Sequence, residues 1–102
     1  MKRGEIWLAQ VGRKRRPVLI LTRDEVLEVR SLVTVAEVTA TKRGLAAEVN
    51  IDQELAGLDH ESAINCDGLH TVPQSMLTRH VGAIDKKALE LVCAAVNYAL
   101  GC

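Results

Sequence analysis

The stretch GRKRRPVLILT, residues 12–22, sets four consecutive cations, Arg13, Lys14, Arg15 and Arg16, against a proline and then an uninterrupted apolar run. A half-exposed strand alternates apolar and polar residues, because successive side chains point to opposite faces. PVLILT does not alternate. It reads as a short strand covered on both sides, as in a small closed barrel. Pro17 also pushes the residue before it out of the helical region towards extended backbone. Of the four cations, Arg16 is therefore the one whose side chain has the most defined direction. Arg13, Lys14 and Arg15 read as lying further out on a polar connection, where they suit an anionic partner.

Working outward, EIWLAQ (5–10) reads as a strand before this connection. RDEVLEVR (23–30) is charged with apolar residues interspersed, and the pattern leaves open a helical turn or a loop. SLVTVAEVTAT (31–41) is rich in β-branched residues and predicts a third strand. KRG (42–44) turns the chain, and LAAEVNI (45–51) is expected as a fourth strand in a hairpin with the third. SAINC (62–66) and LHTVP (69–73) are both strand-like. Asp67-Gly68 between them either closes a two-residue hairpin, which the pair slightly favours, or sits as a bulge in one long bent strand. RHVGAI (79–84) is a last short strand. Asp85 then predicts an N-cap and Gly101 a C-cap for a helix whose Leu89, Val92, Val96 and Leu100 share a face. The expected architecture is mainly β: a small SH3-like antiparallel β-barrel with a C-terminal α-helix, one domain over residues 1–102.

The 102 residues are 48% hydrophobic, which argues against disorder, and 13 basic residues balance 13 acidic ones. The case for an anionic partner therefore rests on clustering and not on net charge. With no Phe, one Trp and one Tyr, the core must be aliphatic. Trp7 lies mid-strand, where packing is a better account than base stacking. Cys66, Cys93 and Cys102 are odd in number and widely spaced, which predicts a reducing compartment. MKRGEIWLAQ lacks the apolar segment of a signal peptide, and no apolar run approaches a membrane span. The expectation is a cytoplasmic protein with no membrane association. His60, Cys66 and His70 have no recognised zinc spacing, so neither metal nor cofactor is expected.

RGEIW (3–7), RRPVLILTRD (15–24), VTATKRGLAAEV (38–49), SAINCDGLHTV (62–72) and the closing VGAI with its helix, taken in order, resemble the MazF/PemK family of toxin endoribonucleases. The resemblance spans essentially the whole chain. It implies an SH3-like barrel, a homodimer, metal-independent cleavage of single-stranded RNA, and inhibition by a cognate antitoxin protein. It also implies that Arg16, in the Arg-Pro position, and Thr39, near the end of the third strand, are catalytic. Related toxins of the same fold class poison DNA gyrase by binding, which is the alternative. The Arg-Pro and Thr positions together favour the nuclease.

RNA carries its own nucleophile, the 2′-OH. Cleavage then needs a proton removed from that hydroxyl, charge stabilised on the phosphate, and the leaving 5′ oxygen protonated. Arginine offers a fork of donors that fits phosphate oxygens, and threonine a hydroxyl that can hold one or orient the 2′-OH. Strand alternation would put Thr41 on the face of Thr39. Lys42 and Arg43, at the turn, would line the same groove, and Asp67 and His70 stand where the family places residues near RNA. His70 is also an alternative proton carrier. The chain departs from the family at Gly68, where relatives often have a base-contacting Gln, and in its short connection between the first two strands.

Overall fold

The structure, a computed structural model, describes residues 1–11 and 13–102. Its elements in chain order are β1 (Glu5–Val11), β2 (Lys14–Ile20), α1 (Asp24–Leu27), β3 (Leu32–Thr39), β4 (Glu48–Ile51), β5 (Ser62–Pro73), a short 3-10 turn (Gln74–Met76), β6 (Leu77–Ala83) and α2 (Lys86–Leu100). The strands form one antiparallel sheet in the order β4-β5-β3-β2-β1-β6. No ladder among the described residues joins β4 to β6, so the barrel-like sheet is not closed by hydrogen bonds.

The absence of alternation in PVLILT has a direct structural cause. Val18 and Ile20 enter one apolar cluster with Val33, Val35, Leu27 and Leu77. Leu19, between them, points the other way and joins Ile6, Ala36, Ile64, Cys66 and Val92 in a second cluster under α2. Both faces of β2 are thus buried at this end. Each such aliphatic side chain contributes on the order of 1.5–3 kcal/mol to folding. Pro17 is tolerated in an interior strand because the ladder with β3 begins only at Val18, one residue later.

Helix α2 ends as the capping residues require. The Asp85 carboxylate accepts from the Ala88 N–H at 2.8 Å, and Gly101 closes the helix at φ 72° in the left-handed region. Val92 and Ala95 are buried, with Leu89, Val96 and Ala99 partly so. Leu100, expected on the same face, is 62% exposed. It is the last residue of the helix. Residues 23–30, open from the sequence, contain the single turn α1.

Three sequence expectations are corrected. First, β3 and β4 do not form a hairpin: β4 pairs only with β5, which lies between them. Residues 63–65 of β5 pair with β3 on one side and β4 on the other, and residues 40–47 form a long connection around that insertion. Second, Asp67-Gly68 is not a hairpin turn. β5 runs unbroken through it, and the register with β3 jumps from Ala36↔Leu69 to Glu37↔Asn65. Cys66, Asp67 and Gly68 therefore have no partner in β3 and form a bulge, with Cys66 buried and Asp67 exposed. Third, Lys14 and Arg15 are not loop residues. They lie in β2, paired with Val11 and Gln10. Gly12, in the connection, lies outside the described residues.

Candidate active site

The β2–β3 ladder ends at Val18↔Glu37, and Arg16 and Thr39 each lie two residues beyond that pair. Arg16 is at the exposed end of β2, and Thr39 is the last residue of β3. Both side chains line two adjoining cavities. One, of about 590 Å³, is walled by Leu58, Asp59 and His60 on one side and by Arg79 and His80 of β6 on the other. The second, of about 420 Å³, extends towards β5 and takes in Lys14, Glu37 and His70. The Arg16–Thr39 pair, with Pro17 and Val38, forms the ridge the two cavities share.

Strand geometry divides the cation cluster. Lys14 and Arg16, two apart, share a face and line the smaller cavity. Arg15 falls on the other face, where its Nε donates to Gln10 Oε1 at 3.3 Å. Arg13 is exposed in the turn. The Thr39 hydroxyl organises the end of β3: it accepts from the Thr41 N–H at 3.1 Å and donates to the Thr41 carbonyl at 3.3 Å. Thr41 therefore lies beyond the strand in a turn, and the alternation argument for its direction does not apply. Lys42 pairs with Glu61 at 3.5 Å, and the Arg43 backbone N–H donates to Glu48. Neither lines a cavity that holds Arg16. Asp67 is exposed on the bulge and also stands outside them. His70 is inside the smaller one, bonded to Glu37 at 2.6 Å.

The wall at residues 57–60 depends on two glycines. A Cβ on Gly82 would lie 2.3 Å from the Ala56 carbonyl oxygen, and one on Gly57 would lie 2.2 Å from that of Val81. This contact seats the loop directly on β6. Beside it, Trp7 and His80 pair across strands with ring centroids 5.4 Å apart. Trp7 packs against the Val18 cluster, as its mid-strand position suggested. Glu5 sits beneath the pair. Burial acts to raise its pKa, but hydrogen bonds from the Trp7 indole and the Lys2 N–H, with His80 and the N-terminus nearby, outweigh burial and hold it below 4.5.

A toxin-family profile described as "PemK-like, MazF-like toxin of type II toxin-antitoxin system" matches residues 2–100. The chain belongs to the PemK/MazF toxin family. It is similar to the probable endoribonuclease MazF2 of Mycobacterium tuberculosis, 32% identical over 102 residues and the full length of both chains. It is 47% identical over 77 residues to the endoribonuclease MazF3 of the same organism, covering 76% of this chain and 73% of that one. Among solved structures, the M. tuberculosis toxin MazF-mt6 superposes with a TM-score of 0.88 at 39% identity, covering 95% of this chain and 96% of that one. A mycobacterial endoribonuclease solved with its cognate antitoxin shares the fold, with a TM-score of 0.90 at 21% identity over 99% and 95% of the two chains.

Within this PemK/MazF chain, the sequence reading missed Arg79 and Glu37 as site residues. His60 enters the sequence analysis only as a rejected zinc ligand, and His80 only as part of a strand. Arg79 reaches the site through β1: it pairs with Leu8, which pairs in turn with Pro17. The Arg79-His80 dipeptide was the only local signal, and no pattern in the chain places it near Arg16. Glu37 was hidden because an acidic residue in a β-branched strand reads as an ordinary outward position.

Proposed function

We propose that this toxin-family chain is an endoribonuclease that cleaves single-stranded RNA without a metal, leaving a 2′,3′-cyclic phosphate and a 5′-OH. The observation that carries the reading is that Arg16 and Thr39 both line each of two adjoining open cavities, so that a strand could pass over both. In the reaction the 2′ oxygen bonds to phosphorus as the bond from phosphorus to the 5′ oxygen breaks. The 2′-OH proton is lost, and the leaving 5′ oxygen gains one. Arg16 is assigned to the phosphate oxygens, whose charge grows in the transition state. Thr39 is assigned to hold a phosphate oxygen or the 2′-OH, once its hydroxyl leaves the Thr41 carbonyl. Lys14 and Arg79 extend positive charge into the two cavities, and Arg13 and Arg15 serve the approach.

The same reading gives the chain a cytoplasmic setting, a homodimeric form and a cognate antitoxin as protein partner. An acidic, disordered antitoxin segment would neutralise the Arg13–Arg16 cluster, so high salt is expected to weaken that complex and RNA binding alike. The deciding experiment incubates the pure protein with a mixed pool of single-stranded RNA in EDTA and sequences the 5′-OH ends. Cleavage at a restricted set of sites is expected. Intact RNA at micromolar protein would refute the reading.

A further inference from the structure

The smaller cavity contains a carboxylate where the proposed substrate carries a phosphate chain. Glu37 lies two residues before Thr39 on β3, on the same face of the strand. Its Oε2 is 2.6 Å from His70 Nε2. Among the described residues, His70 is the one basic group within ion-pair distance of it. Arg16 and Lys14 line the same cavity without pairing with it. The space for this carboxylate comes from the β5 bulge: a Cβ on Gly68 would lie 2.7 Å from Glu37 Oε2. A side chain at position 68 and the Glu37 head group therefore compete for one place, and here Glu37 holds it.

An ionised carboxylate only accepts hydrogen bonds, and it repels phosphate. What it can attract from an RNA strand is a donor. The donors are the sugar 2′-OH and, on the bases, the exocyclic amines and the ring N–H groups of guanine N1 and uracil N3. The geometry separates them. Two residues along a strand is about 7 Å, so Glu37 addresses a different part of the substrate from a phosphate held at Arg16 and Thr39. The cavity walls near Glu37 are apolar, formed by Val35, Val72, Met76 and Pro17. Apolar walls with one fixed polar group make a slot for a planar base.

We propose that Glu37, held by His70 and given room by Gly68, is a specificity-determining residue that reads a base next to the cleaved bond. It accepts from an exocyclic amine, as carboxylates accept from cytosine N4. Cytosine, adenine and guanine carry such an amine. Uracil has no such amine, and its one ring donor, N3–H, is flanked on both sides by carbonyl oxygens that the carboxylate repels. The slot thus disfavours uracil at one position. This assignment rests on the nuclease reading above.

The test sequences 5′-OH ends from a randomised single-stranded RNA pool cut by the wild type, Glu37→Gln and Gly68→Ala. The wild type is expected to show uracil depleted at one position flanking the cut. Glu37→Gln, whose amide can donate to a carbonyl, should raise relative cleavage of uracil-containing sites about tenfold at that position alone. Gly68→Ala should shift the same position in the same direction, because its Cβ displaces the carboxylate. Neither variant touches Arg16 or Thr39, and circular dichroism checks that both are folded. A Glu37→Gln enzyme that slows equally at every sequence would overturn the inference, since a proton acceptor or a packing role acts without regard to base. An unchanged preference, or no uracil depletion in the wild type, overturns it as well. Absence of any cleavage by the wild type overturns the nuclease reading itself and this assignment with it.

Discussion

The two ends of β2 are seven residues of one strand and behave as two materials. Lys14, Arg15 and Arg16 are exposed, while Val18, Leu19 and Ile20 are buried, Leu19 and Ile20 with no accessible surface. At the buried end every side chain is held by neighbours from other strands and from α2. At the exposed end Arg16 makes no side-chain hydrogen bond or ion pair among the described residues, and Pro17 restricts its backbone. The difference teaches where stability and function separate: the apolar end sets the register that aims Arg16, and Arg16 contributes little to that register. The same division recurs on β3, where Val33 and Val35 are buried and Thr39 stands at the open margin.

The sharpest way to break this contrast is Arg16→Ala. Cleavage should fall by about 10²–10³-fold or more, as for loss of a donor to transition-state charge. The free energy of urea unfolding should change by less than about 0.5 kcal/mol, as for an exposed site. Single-turnover rates and denaturation curves on one preparation decide it, and an Arg16→Ala protein that loses stability instead would abolish the distinction. Thr39→Ala should also lose about 10²-fold in rate, with a small stability cost from the lost turn at Thr41.

The converse substitution sharpens the same line. Ile64→Ala, in the cluster under α2, should cost about 2–5 kcal/mol of stability. Cleavage per folded molecule should remain near wild type, measured well below the melting temperature. Smaller again is Asp85→Ala, which removes the cap of α2 and should cost about 1 kcal/mol without altering cleavage.

The smallest effect lies at alkaline pH. Burial, with Asp67 and Cys93 adding to it, pushes the Cys66 thiol up to about 11 from the ordinary 9.0. The folded state therefore keeps its proton where the unfolded chain has lost it. The resulting stability is fully present below pH 9 and drains away as pH rises towards 11. Urea midpoints of wild type and Cys66→Ala should converge over that window. A difference between them that is constant from pH 8 to 11 would show that Cys66 does not titrate as its burial requires.

Much of this was legible in the chain. Apolar continuity in PVLILT forecast a strand buried on both faces, and Asp85 and Gly101 marked a helix whose ends fall where expected. These signals are local: periodicity and capping act between residues a few positions apart. The order of the strands was not legible. The turn residues KRG suggested a β3–β4 hairpin, but the first residues of β5 fit between the two strands, a pairing made across long separation. Of the two readings open for Asp67-Gly68, the slightly favoured hairpin gave way to the bulge. The pair has hairpin composition, yet β5 has partners on both sides and continues through it as a bulge.

The sequence by itself determined where the main apolar strands lie, that Pro17 holds Arg16 in extended backbone, and where the terminal helix begins and ends. Each follows from steric and hydrogen-bonding preferences of short segments. Only the tertiary structure decided that Arg16 and Thr39 line the same cavities, that Arg79 reaches the same groove across β1, and that Glu37 meets His70 over the space left by Gly68. Those meetings depend on register, and register comes from packing the whole sheet at once. A one-residue slip would turn each of these side chains to the opposite face.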